Sequence, residues 1–113
     1  MPISELRAPV AISVLSTTYV KCQISATEGG TTVNPTTGTV EFAFIPESLS
    51  TAPSGGDWAE GSWETGTAGA YWGRCLVGPD GDATLAVGSY DVWTRVTKAP
   101  ETVVKRVGTL VIT

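Results

Sequence analysis

Histidine is missing altogether, which removes the commonest general base and the commonest metal ligand. Charge is sparse, 16% of the residues, and the balance is −4. A chain so charged has no general attraction for nucleic acid or for an anionic membrane. No stretch approaches the ~20 apolar residues that span a bilayer. The N-terminus lacks a basic start followed by an apolar block, so no secretory signal is expected. There are two cysteines, Cys22 and Cys75. Without an export signal the expectation is two reduced, buried thiols rather than a cross-sheet disulfide, and two lone cysteines make no zinc site. No segment repeats at 3.6 residues, so no helix is expected, and with it goes any phosphate loop at a helix N-terminus.

What is present is alternation. From Gly88 onward, Tyr90, Val92, Thr94 and Val96 fall on one side of an extended chain, and Asp91, Trp93, Arg95 and Thr97 on the other. This period of two marks a half-buried strand. A four-residue loop, 98–101 with Pro100, then joins it to a final run, 102–113, as a hairpin. Similar alternation predicts strands over 10–15, 19–26, 39–45, 70–77 and 83–87. Loops are expected at 27–38 and 47–69, where glycine and proline cluster. The predicted inner residues are Val20, Cys22, Ile24, Val40, Phe42, Phe44, Tyr90, Val92 and Val96. About seven strands at this spacing predict one all-β domain, residues 10–113, an antiparallel sandwich in preference to a partly open barrel. Tyr90, two residues after Gly88, has the placing of the corner tyrosine of immunoglobulin-like sandwiches, whose hydroxyl bonds the preceding loop.

Residues 1–9 read as an extended N-terminal arm. Burying Ile3 and Leu6 would gain ~3–6 kcal/mol, whereas fixing nine backbones costs ~9–18 kcal/mol. The arm is therefore expected to be ordered by protein neighbours unless it joins a sheet. Trp58 and Trp63 are expected to pack over a sandwich edge. Their alternative use, with Trp72, is to bind carbohydrate or a host surface.

No catalytic constellation is visible, and neither a metal site nor a cofactor is expected. Asp80-Gly-Asp82 lacks the remaining ligands of a calcium loop and reads as a turn. Candidate protein-contact residues are Ile3, Leu6 and Arg7 in the arm, and Trp72, Arg74, Trp93, Arg95 and Arg106 on strand faces. The hairpin loop sets Trp93 opposite Arg106 and Arg95 opposite Val104, so guanidinium groups are placed to stack on indoles across the sheet. Trp and Arg are enriched at interface hot spots.

The blocks Val33-Asn-Pro-Thr-Thr-Gly-Thr-Val-Glu-Phe-Ala-Phe44, Arg74-Cys-Leu-Val-Gly78, Gly88-Ser-Tyr-Asp-Val-Trp-Thr-Arg-Val-Thr97 and Pro100-Glu-Thr-Val-Val-Lys-Arg-Val-Gly-Thr-Leu110, with Trp63 and Tyr71 between them, resemble small virion proteins of actinobacterial tailed phages. The last block is similar to the immunoglobulin-like N-terminal module of phage upper-baseplate proteins. The resemblance implies an immunoglobulin-like fold and a non-enzymatic structural protein of the virion, assembled in the host cytoplasm. The expected partners are other virion proteins and further copies of the chain, at the capsid surface or head–tail junction, as a decoration, neck or connector accessory. The runner-up is a glycan- or host-binding module of the tail.

Overall fold

A computed structural model describes residues 3–7, 11–28, 31–49, 51–65, 71–98 and 101–113. Two antiparallel sheets pack face to face and form a sandwich-like all-β fold. One sheet has the order β1 (Ile3–Arg7), β3 (Thr18–Ile24), β9 (Tyr71–Val77), β8 (Ser62–Thr65). The other has the order β2 (Ala11–Ile12), β11 (Glu101–Ile112), β10 (Gly88–Lys98), β6 (Thr39–Pro46), β7 (Trp58–Glu60). A small hairpin of β4 (Ala26–Glu28) and β5 (Thr31–Val33) stands apart. Among the described residues, the one parallel pairing within a sheet is β2 along β11.

The core follows the alternation. Val20, Cys22 and Ile24 meet Val40, Phe42, Val92 and Val96, all buried, across the sheet interface. Phe44 and Tyr90 are only partly buried at its margin. Thr94 is the buried polar side chain of this row, and its hydroxyl lies 3.6 Å from the Cys22 sulfur. The β10–β11 register is the expected one, with Trp93 opposite Arg106 and Arg95 opposite Val104. The ladder runs further toward the turn than expected, since Lys98 still pairs with Glu101. A bulge at Val107 changes the parity of β11: Val103, Lys105 and Val107 turn inward before it, Leu110 and Ile112 after it.

Four expectations are corrected. The arm is not a free arm: Ile3 pairs with Ile24 and is buried, and the Ser4 hydroxyl both donates to Gln23 O and accepts from Gln23 N at 3.0 Å. Lys105, reaching from the other sheet, donates to Ile3 O at 2.7 Å. Edge pairing supplies what two apolar side chains alone do not. The strand expected over 10–15 is reduced to Ala11–Ile12, because a turn closed by Ser16 N donating to Ser13 O follows it and leaves Val14 and Leu15 exposed. The strand expected over 83–87 is a single bridge, Ala83 to Val77. The loop expected over 47–69 contains β7 and β8, two short edge strands whose polar sequences carry no apolar alternation. Trp58 and Trp63 belong to different sheets, which is why their spacing of five fits no single face.

The Tyr90 hydroxyl donates to Ala86 O at 2.8 Å, in the loop before Gly88, as a corner tyrosine should. The bond is solvent-exposed and the ring only half-buried. Tyr90→Phe is therefore expected to cost about 0.5–1 kcal/mol, toward the low end for a net hydrogen bond. A denaturant midpoint identical to that of the parent would remove the corner's role.

Candidate functional site

Each sheet has an outer face, and the two point in opposite directions with the core between them. The candidate strand-face residues are divided between these faces. Trp72 and Arg74 lie outward on the four-stranded sheet; Trp93, Arg95 and Arg106 lie outward on the five-stranded sheet.

On the four-stranded face, Glu64 is the centre. It accepts from Lys21 Nζ and from Arg74 Nη1, each at 3.1 Å, and Arg74 Nε donates to the Ser62 hydroxyl at 3.1 Å. The Lys21 hydrogen bond first, then the charges of Lys21 and Arg74, hold the Glu64 carboxyl below its ordinary pKa. The same cations stand over aromatic rings, Arg74 over Tyr19 at 4.2 Å and Lys21 over Trp72 at 5.6 Å. Cross-strand register makes this arrangement: Lys21 lies opposite Arg74 and Ser62 beside Arg74. Like charges side by side need the carboxylate between them.

On the five-stranded face, one row reads Arg106, Trp93, Ala43, Trp58, and the next reads Val104, Arg95, Glu41, Glu60. Trp93 and Trp58 flank Ala43, which is fully covered. Arg95 does stack on an indole, that of Trp58 at 4.5 Å. Arg106 is paired with Asp91 at 2.8 Å. The Trp93 indole nitrogen is buried without a hydrogen-bond partner among the described residues.

Of the arm candidates, Ile3 faces the domain's own core and is not available to a partner. Leu6 and Arg7 continue β1 opposite Cys22 and Lys21; the expectation that their side chains contact a neighbour falls outside the described side chains. Sequence reasoning missed Lys21, Glu64, Tyr19 and Glu41, the partners of the arginines. Glu41 alternating with Phe42 was a usable signal once β6 is set beside β10.

Two further features were not expected. At one end of the sandwich, where β10 begins and β6 and β11 finish, aliphatic side chains are bare: Leu15 is 86% exposed, Val87 66% and Leu49 60%. At the opposite end of β6, a groove of about 470 Å³ is lined by Trp58, Trp63, Glu41, Glu60 and the backbone around Gly38 and Gly61.

Asp82 serves the turn it sits in, its carboxylate accepting from Leu76 N at 3.3 Å. Among the described residues no group of three or more Cys, Asp or Glu is placed to hold a metal ion. Among the described residues no helix is long and apolar enough to cross a membrane.

Both cysteines are free and buried. They lie on neighbouring strands of one sheet, Cys22 opposite Gly73 and Cys75 opposite Val20, so they are not set across the sandwich. Burial pushes the Cys22 thiol up to about 11 and the Cys75 thiol up to about 12, from an ordinary value of 9.0. The unfolded chain therefore loses these protons first. Above pH 9 it binds fewer protons than the native chain, and stability falls as pH rises. From pH 9 to pH 10 the two thiols together are expected to remove about 2 kcal/mol. Urea midpoints at the two pH values, compared with those of a Cys22→Ala/Cys75→Ala variant, check this. A parent slope no steeper than that of the variant would be the contrary result.

Compared with known proteins, the chain matches no family model, no curated protein and no solved structure.

Proposed function

We propose that the chain is a non-enzymatic structural protein of a tailed-phage virion, with an immunoglobulin-like fold, that makes subunit contacts at the capsid surface or head–tail junction. The observation that carries the reading is the bare aliphatic end of the sandwich. Leu15, Leu49 and Val87 gather at one end of the molecule, next to half-exposed Val14. Concentrated exposed apolar surface is uncommon on monomers and marks a contact with another protein. The cations of the two outer faces, Lys21, Arg74, Arg95 and Arg106, by contrast, are already paired internally with Glu64, Glu41 and Asp91. Those faces are firm, pre-organised surfaces of Trp, Tyr and Arg that a neighbour can also use, and the apolar end supplies the driving force. The resemblance over residues 33–113 supports the virion setting. The partners in this reading are virion proteins and further copies of the chain.

The test is a Leu15→Glu/Val87→Glu variant introduced into the phage gene. Both positions are exposed, so the unfolding temperature should stay within a few degrees of the parent. Incorporation of the protein into particles, read by mass spectrometry of purified virions, should fall at least tenfold. A variant that folds and is incorporated at the parental level would end the assembly role of this surface.

A further inference from the structure

The groove at the corner between β7 and β8 needs a different explanation from the apolar end, because it lies at the other end of β6. Thr39 lines it, and Thr39 and Pro46 stand about 24 Å apart along the strand. The chain crosses from one sheet to the other at Gly61. A Cβ there would stand 2.8 Å from Val40 O and 2.9 Å from Arg74 O, so the floor of the groove admits no side chain. Two indoles form its walls. Trp63 is held by its own N–H, which donates to Gly38 O at 3.1 Å, and Trp58 by the Arg95 guanidinium stacked on it. The volume lies in the range of small-ligand sites.

The charged residues of the lining are two carboxylates, Glu41 and Glu60. Arg95 makes both of its contacts to a single oxygen of Glu41, Oε1, from Nε at 3.0 Å and Nη2 at 2.8 Å; neither contact uses Oε2. Glu60, opposite Glu41 on β7, is exposed and makes no ion pair among the described residues. We propose that this groove binds a neutral pyranose unit of a glycan, packed on the Trp58 and Trp63 indoles and hydrogen-bonded through its hydroxyls to Glu60 and Glu41.

Charge and shape select this ligand class. An anion meets Glu60 unpaired. A cation meets Arg95, which already neutralises Glu41 and stacks on Trp58. A neutral polyol escapes both penalties: its C–H face packs on an indole, and its hydroxyls donate to carboxylates in charge-assisted bonds. The site is independent of the assembly surface, and neither result bears on the other.

The experiment is a titration of the ¹⁵N-labelled protein followed at the four tryptophan indole N–H signals. The probes are maltose, cellobiose, lactose and N,N′-diacetylchitobiose, each up to about 50 mM, the range that detects weak, millimolar binding, with tetramethylammonium chloride as the cationic control. At least one saccharide should shift the Trp58 and Trp63 signals saturably and leave Trp72 and Trp93 in place. Glu60→Gln, at an exposed position that does not threaten the fold, should weaken that binding about tenfold. Trp58→Phe should weaken it while retaining an aromatic wall. The proposal is overturned if no saccharide shifts these signals, if tetramethylammonium alone does, or if Glu60→Gln binds the saccharide as tightly as the parent.

Discussion

Removal of residues 2–8 is expected to abolish the cooperative folded state, or to lower the unfolding temperature by at least about 20 °C. The deletion takes away β1, the edge strand of the four-stranded sheet, and uncovers the backbone of β3. It also empties the site of Ile3. Truncating a buried aliphatic residue alone costs about 2–5 kcal/mol, as Ile3→Ala should show separately. The Lys105 ammonium loses its acceptor at Ile3 O, and Gln23 loses both of its bonds to Ser4. The sum is a large share of the ~5–15 kcal/mol that holds a domain of this size together. Thermal unfolding followed by circular dichroism decides it. A truncated chain that melts within a few degrees of the parent would show that β1 is dispensable.

Gly78→Ala should be strongly damaging for the addition of a single methyl group. Gly78 has φ of +135°, a conformation that costs a side-chain-bearing residue about 1–3 kcal/mol. Space is a second obstacle. The new Cβ would lie 2.2 Å from Ser16 O and 2.6 Å from the Thr17 Cα, backbone atoms with no rotamer to escape into. Around it the turn is fixed by Gly78 N to Ala83 O at 2.9 Å, by Gly81 N to Gly78 O at 3.0 Å and by the Thr17 hydroxyl to Pro79 O at 2.9 Å. Strain and overpacking together predict a loss of about 3–5 kcal/mol, or roughly 10–20 °C. A melting temperature lowered by less than about 5 °C would mean that the loops at 13–17 and 78–82 separate without cost.

The legible part of this fold was the part with a period. Val20, Cys22 and Ile24, or Val92 and Val96, announce a face because their neighbours on the chain are polar, and all are buried as expected. The Trp93–Arg106 register followed from the hairpin length alone. Where geometry interrupts the period, the sequence misleads. In β11 the bulge at Val107 moves the inward positions from odd to even numbers, so no single alternation describes the strand. In β1, pairing along an edge and a lysine from the opposite sheet outweigh a poor apolar content. The candidate sites were less legible still. The partners that satisfy Arg74 and Arg95 are 10 and 54 residues away in sequence, and only the sheet order brings them together. The groove depends on Gly61 changing sheets, an event with no periodic signature.

The position of β11 has a consequence for how the chain comes to be folded. It follows every other strand in sequence, yet it lies between β2 and β10 inside the five-stranded sheet. Until β11 has been made, the sheet lacks an interior member. The growing chain must carry β6 and β10 with an unpaired edge until β11 emerges. Folding is thus built on distant pairings, the slow class of topology. A chain cut off before residue 101 would present the open flank of β10, a template for aggregation rather than a partly working domain.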